Sequence, residues 1–495
     1  MSGKYLLSVD QSTSGTKALI FEERGTLLCR CDLPHKQIVN GQGWVEHDPE
    51  EIYSNTLAVI RNVVEKSGID KNDLIGLGIS NQRETAVAWD GRTGKPVYNA
   101  VVWQCPRGEA ICARLEKAGC AEKIKTATGL NLSPYFSAAK LAWILENVPL
   151  AAETAAAGAL RCGTVDSWLV YRLTHGRQFK TDYSNASRTQ LFNIGTLSWD
   201  ETVCGMFGIK PSMLAEVCDS NSRFGETDLG GYLERPIPIH GVLGDSHGAL
   251  FAQGCLMNGM VKSTYGTGSS VMMNIGGKPV FSKSGVVTSL AWGMDGKIDY
   301  VLEGNINYTG AVMKWIVDDL GLLSSAKESG AVAASANPAD ETYLVPAFTG
   351  LGAPYWDSGA KAVLCGMGRG TGKAEIVRAA EECIAYQIAD IVRVMSRESG
   401  IEIQSLRVDG GPTKDSYLMQ FQSDILGIPV AVSEMEELSG AGAAFAAGIA
   451  LGLFDRNSVF QSSRRKTYSP VMPPDIREKR IGGWENAIQM VLNHG

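Results

Sequence analysis

Two separated turns in this chain carry residue types that handle a polyphosphate. An apolar run, Tyr5-Leu6-Leu7-Ser8-Val9, enters Asp10-Gln11-Ser12-Thr13-Ser14-Gly15-Thr16-Lys17. A second turn reads Tyr265-Gly266-Thr267-Gly268-Ser269-Ser270, and a third run, Leu406-Arg407-Val408, enters Asp409-Gly410-Gly411. Glycine lets the main chain approach a ligand closely and tolerates positive φ, while hydroxyls and free N–H groups suit phosphate oxygens. Any one such turn is ordinary strand-connecting chemistry. Two of them, each after a strand pattern and one led by an acid, point to two lobes closing on one nucleotide. A further acid, in Gly244-Asp245, would by itself be a plain turn.

The elements that must position these turns follow from periodicity. Ala18-Leu19-Ile20-Phe21 returns as a second strand, so the Asp10 turn is a hairpin and not the strand-to-helix loop of a P-loop protein. Neither the Walker nor the Rossmann fingerprint is present. Asp48-Pro49-Glu50-Glu51 opens a helix as N-cap, first-position proline and third-position acid. Ile52, Val59, Ile60 and Val63 line its apolar face and Gly68 stops it. Leu74-Ile75-Gly76-Leu77-Gly78-Ile79 reads as a buried strand, which completes an α/β layered unit. The second half repeats the theme: strand, turn and strand from 261 to 275, then an amphipathic helix from about 373 to 398 carrying Ile376, Ala380, Ile384, Ile388, Ile391 and Met395. The expected division is 1–250 and 251–495, with a boundary near 249–259 and no low-complexity linker, so the lobes share an interface or a crossing helix. The apolar stretch 440–454 is too short and too rich in Gly and Ala for a membrane span and reads as a closely packed interior helix.

At 495 residues the chain exceeds one ordinary core, and 44% apolar with 20% charged residues is a globular composition. The net charge of -7, without long runs of one sign, argues against a nucleic-acid or anionic-membrane partner and is neutral about small phosphates. Eleven cysteines, an odd number without a Cys-x-x-Cys pair, read as reduced thiols of a cytoplasmic protein.

The residues then resemble the FGGY carbohydrate kinases, a branch of the actin-like ATPase fold. Beyond the three turns, the similarity is carried by Gly43-Trp44-Val45-Glu46-His47-Asp48-Pro49, Ser80-Asn81-Gln82-Arg83-Glu84-Thr85, Tyr98-Asn99-Ala100-Val101-Val102-Trp103-Gln104-Cys105, Asp182-Tyr183-Ser184-Asn185-Ala186-Ser187-Arg188-Thr189 and Phe348-Thr349-Gly350-Leu351-Gly352-Ala353-Pro354-Tyr355-Trp356. These run almost end to end and are most similar to the branch acting on glycerol. The resemblance implies two ribonuclease-H-like α/β domains with a cleft between them, and ATP- and Mg²⁺-dependent phosphorylation of a terminal hydroxyl of a small polyol, glycerol first. Arg83, Glu84, Trp103, Tyr135, Asp245 and Ser246 would line the polyol pocket, with Asp245 the catalytic base. Asp10 would hold Mg²⁺, and Thr13, Ser14, Gly15, Lys17, Gly266, Thr267, Gly310, Lys314, Gly411 and Asp415 would border the nucleotide. The family also implies a homo-oligomer, dimer or tetramer. Without the resemblance, Arg83 and Glu84 read as an exposed ion pair and Trp103 and Tyr135 as core aromatics.

Several positions depart from the family pattern. Ser246 and His247 stand where the glycerol-directed branch has two glutamines, Lys17 replaces an arginine, Lys314 a glutamine near adenine, Asp415 an asparagine and Pro106 an arginine. Serine removes an amide and leaves space for a longer polyol or ketose of the erythritol, xylitol, xylulose or ribulose type, or for a water. His247 reads as a structural, hydrogen-bonded histidine. Two functions follow from different classes: a polyol kinase, and a ligand-binding sensor that has lost turnover.

Overall fold

The computed structural model describes residues 3–461 and 464–493. Its first sheet grows from the hairpin that the alternating apolar runs imply: β1 (Tyr5–Gln11), β2 (Gly15–Phe21) and β3 (Leu27–Pro34) form an antiparallel meander. Next to β1, in parallel, lies β4 (Leu74–Asn81); β5 (Gly225–Thr227) and β6 (Ile237–Gly244) complete the order β5-β6-β4-β1-β2-β3. The second sheet contains β7 (Val261–Tyr265), β8 (Ser269–Gly276), β9 (Val287–Met294), β10 (Lys297–Ile306), β11 (Leu406–Asp409), β12 (Val430–Ser433) and β13 (Arg465–Tyr468). Its order is β9-β10-β8-β7-β11-β12-β13. In both sheets antiparallel strands lie on one side of the first strand and a parallel strand on the other, although in the second sheet β8 pairs with β10 and leaves β9 at the edge.

The first helix, α1 (Pro49–Ser67), begins where its cap residues dictate: the Asp48 carboxylate accepts from the Glu50 N–H at 2.9 Å, and Gly68 ends it at φ 71°. Glu51 does not reach back to Asp48 as a capping box would; it accepts from the Lys36 N–H instead, at 3.2 Å. The other helices that frame the site are α2 (Ser137–Asn147), the single turn α3 (Tyr183–Ala186), α4 (Asp245–Ala252), α5 (Lys373–Ser399), α6 (Ser416–Leu426), α7 (Leu438–Ala450) and α8 (Pro474–Leu492). The anticipated face of α5 is buried except for Ile376, which is half-buried.

The Gly/Ala-rich stretch is the crossing element. Helix α7 ends at Ala450, and although it comes from the last quarter of the chain it packs on the first sheet and on α4. Contact is backbone to backbone: a Cβ on Gly78 would lie 2.6 Å from the Ala443 carbonyl oxygen, and one on Gly442 would lie 2.0 Å from that of Gly248. The Ser8 hydroxyl donates to the Gly440 carbonyl at 2.7 Å. All eleven cysteines are free thiols, and among the described residues no helix is long and apolar enough to cross a membrane.

Substituting Gly442→Ala is expected to destabilise the protein by about 1–3 kcal/mol, because backbone must move to admit the methyl. Gly482→Ala, on α8 with open space around it, should stabilise by about 0.5–1 kcal/mol through helix propensity. Chemical denaturation of the two variants checks the contrast.

Candidate active site

The ends of β1, β4 and β6 meet at one side of the first sheet, and the acids and bases predicted for the site sit there. Strand β4 runs into Gln82, whose N–H donates to the Gln11 carbonyl at 2.6 Å, and then into Arg83 and Glu84. Glu84 has φ 60°, an uncommon left-handed conformation for a non-glycine residue, so the chain turns sharply here. Arg83 and Glu84 are not an exposed pair; both are buried, and each finds its main partner elsewhere. Arg83 forks onto Glu303 through Nη1 and Nη2, both at 2.8 Å, and its Nε lies 3.2 Å from an Asp245 carboxylate oxygen. Glu84 accepts from Arg188 Nε at 2.6 Å, and Arg188 Nη1 lies 3.2 Å from Glu303.

Glu303 reaches the site from the second lobe. In the register of the second sheet it lies across from Met272, which pairs in turn with Lys262, while Thr264 pairs with Ser270 and Asp409. Cross-strand partners share a face, so Glu303, Lys262, Thr264 and Asp409 stand on one face of the second sheet with the buried Met272 among them. Burial would raise the Glu303 carboxyl, but Arg188 and Arg83 pull it well below the usual carboxylate range.

Asp245 is the first residue of α4. It is held from behind: the Gly244 N–H donates to the Ser184 hydroxyl at 2.9 Å, and that hydroxyl donates to Asp182, whose carboxylate caps α3. Its side chain is 34% exposed, enough to meet a substrate hydroxyl. Ser246 is half-buried and donates its N–H to Asp245 at 2.6 Å. His247 differs from expectation: it is fully buried, and neither ring nitrogen has a hydrogen-bond partner among the described residues. Burial, reinforced by Arg83, lowers its pKa well below the ordinary value and keeps the imidazole neutral.

Trp103 and Tyr135 are half-buried walls and not core aromatics, their rings edge-on with centroids 5.4 Å apart. The Trp103 indole donates to Thr13 Oγ1 at 2.9 Å, which joins this wall to the first phosphate-type turn. At the start of that turn Asp10 is buried and accepts from Ser80 Oγ at 2.9 Å. Burial lifts its carboxyl to about 6 against the pull of Lys17 and Ser80. Ser14 is exposed, and Gly15 passes close to β3, where a Cβ would lie 2.6 Å from the Leu33 carbonyl oxygen. Lys17 is not free: its ammonium lies 2.6 Å from Glu437, which also binds Arg30.

Across the cleft the second turn is stapled to the residues that follow β10. The Gly310 N–H donates to the Gly266 carbonyl at 2.9 Å, and a Cβ on Gly310 would come within 2.8 Å of that oxygen. Gly266, Thr267, Gly310 and Lys314 line an open pocket of about 660 Å³ together with Trp315, Phe348 and Pro412. Phe348 packs on Tyr308 and Trp315 at centroid distances of 5.2 and 4.9 Å, an apolar surface suited to a flat base. Gly411 is exposed beside Pro412. Asp415 lies outside this lining, its carboxylate occupied as the N-cap of α6 through the Tyr417 and Leu418 N–H groups at 2.7 and 3.2 Å.

A family description, the FGGY family of carbohydrate kinases, matches with its N-terminal domain over residues 5–252 and with its C-terminal domain over residues 261–451. The chain belongs to this family. The FGGY kinase is 50% identical over 490 residues to glycerol kinase 1 of Thermotoga maritima, with 99% of each chain covered. It is 44% identical over 491 residues to glycerol kinase of Caldanaerobacter subterraneus subsp. tengcongensis, again covering 99% of each. In three dimensions it is similar to Plasmodium falciparum glycerol kinase solved with ADP, at a TM-score of 0.93 with 35% identity and 99% of each chain covered.

In this FGGY kinase, sequence reasoning named one half of the buried ion network and missed Glu303 and the pairing role of Arg188. A signal for Glu303 existed, since it is the one charge in the otherwise apolar run Tyr300-Val301-Leu302-Glu303-Gly304. Glu303→Gln keeps the side chain's shape but strips the shared counter-charge from two buried guanidiniums. The expected cost is about 3–5 kcal/mol of folding stability. An unfolding midpoint equal to the wild type's would show that the network is not held by that charge.

Proposed function

We propose that this FGGY kinase transfers the γ-phosphoryl group of MgATP to a terminal hydroxyl of glycerol, giving glycerol 3-phosphate and ADP. The observation that carries the reading is the placement of Asp245. It is a partly exposed carboxylate on a helix start, 3.2 Å from Arg83 Nε and near enough to the buried Asp10 for the two charges to interact. The likeness to glycerol kinases over nearly the whole chain supports glycerol as the acceptor.

In this reading ATP supplies the phosphoryl group and Mg²⁺ neutralises phosphate charge. Among the described residues no cluster of three or more potential ligand side chains could hold a metal alone. Asp10, the buried acid of the first turn, would hold the Mg²⁺ ion, whose chemistry is to neutralise phosphate charge. Arg83 and Glu84 orient the polyol hydroxyls by donating and accepting, and Trp103 and Tyr135 shield its carbon skeleton. Asp245 accepts the proton as the acceptor oxygen bonds to the γ-phosphorus and the bond to the bridging oxygen of ADP breaks. Thr267 and the backbone at Gly266 and Gly310 face the phosphates, Thr13 and Ser14 close from the first lobe, and Lys314 borders the nucleoside. Lys17 meets the phosphates on release from Glu437. Asp415 acts through the start of α6 and not by direct contact.

ADP formation with MgATP and a panel of glycerol, dihydroxyacetone, erythritol, xylitol, ribulose and xylulose tests the reading. Preference for glycerol supports it. Preference for a longer acceptor assigns Ser246 to an enlarged pocket wall, and silence across the panel favours a sensor. Asp245→Asn should lower kcat by about 10²–10⁴-fold while leaving nucleotide binding, measured by calorimetry, unchanged; near-native turnover would remove Asp245 from the role of base.

A further inference from the structure

Lys140 is a fully buried lysine that the mechanism above does not use. It stands in the first turns of α2, where side chains lean back toward the helix N-terminus, so it reaches over the segment that precedes the helix. Its ammonium donates to three successive backbone carbonyls, those of Pro134 at 2.7 Å, Tyr135 at 2.5 Å and Phe136 at 3.1 Å. A cation at the positive end of a helix, deprived of water, breaks two local rules at once. Its neighbours Ala138, Ala139, Leu141 and Cys112 belong to an apolar cluster that an aliphatic side chain would join at lower cost. Locally unfavourable choices of this kind mark functional positions.

The three carbonyls belong to the segment that builds one side of the acceptor pocket. Tyr135 packs against Trp103, Phe136 lies under the Arg188 guanidinium at 5.1 Å and clusters with Leu130 and, across the cleft, Val287, and Ser137 Oγ donates to the Glu84 carbonyl at 3.0 Å. We propose that Lys140 is a positioning residue for acceptor binding, its ammonium drawing the carbonyls of residues 134–136 inward so that Tyr135 and Phe136 are turned out against Trp103 and Arg188. This rests on the reading of Tyr135 as a wall of the polyol pocket. The groups facing Lys140 are the Glu84 carboxylate beyond β4, the Cys105 thiol, the Cys112 thiol and, opposing them, the Arg107 guanidinium. Burial pushes its ammonium down to about 7. An ammonium offers three N–H donors to three carbonyls and a neutral amine only two, so the hold is complete below that pH and weakens as pH rises through it.

The test is steady-state kinetics of Lys140→Met, of similar length but without donors, with acceptor and ATP varied separately. The expected result is a KM for the acceptor raised about tenfold or more, with kcat and the KM for ATP little changed, and partial rescue in Lys140→Arg. In the wild type the acceptor KM should climb between pH 6 and 8.5 while the ATP KM does not, and this rise should be absent from Lys140→Met. An unaltered acceptor KM in the variant, a loss shared equally by both substrates, or a flat wild-type profile overturns the proposal. A wild-type protein silent toward every acceptor overturns the reading of the site and this role with it.

Discussion

The arrangement depends on one buried carboxylate, Glu303, held by two guanidiniums from the opposite side of the cleft. Removing three charges from water is costly, and their attraction offsets that cost only when the geometry is closely met. The bidentate fork from Arg83 and the second contact from Arg188 meet it. The end of β4 and strand β10 are thereby tied at one register, and the remaining edge of Arg83 is left against Asp245. A site built on such a network is rigid at its base, which suits a reaction that depends on aligning an acceptor oxygen with a phosphorus.

Around that base, the two halves of the site are mechanically joined. Thr13, in the first glycine turn, receives the indole N–H of Trp103, so the acceptor wall and the phosphate turn are in contact within one lobe. Lys17, on the outgoing strand of the same turn, is held by Glu437 just before α7, and α7 lies against both α4 and the first sheet through glycine contacts. Lys17, Glu437, α7 and the helix that begins with Asp245 thus form one chain of contacts. Helix α7 is closely packed because it has almost no side chains to hold it away.

Much of this was legible in the chain. The hairpin after Val9, the cap residues of α1, the period of α5 and the acid-plus-glycine turns follow from local rules that involve neighbours a few residues away. The long motifs from 43–49 to 348–356 carried the resemblance to the family, and of the residues that resemblance nominated, Arg83 lies against Asp245 and Trp103 packs on Tyr135. Lys17 and Asp415 show the limit: the resemblance put both at the nucleotide, yet one is bound to Glu437 and the other caps α6. Pairing of this kind is invisible in a sequence because the partner is chosen by the fold.

The sequence by itself determined element types, turn chemistry and the set of candidate groups, because each of those is decided by backbone sterics and side-chain type within a short span. Tertiary structure alone decided which sheet α7 would cover, that Arg83 would fork onto Glu303 with its neighbour Glu84 a more distant contact, that His247 would be buried with no hydrogen-bond partner among the described residues, and that Lys140 would gather three carbonyls. These outcomes turn on desolvation and on how the surrounding chain packs, and the Arg83–Glu303 contact joins residues 220 positions apart. Their energies exist only once the surrounding chain has excluded water.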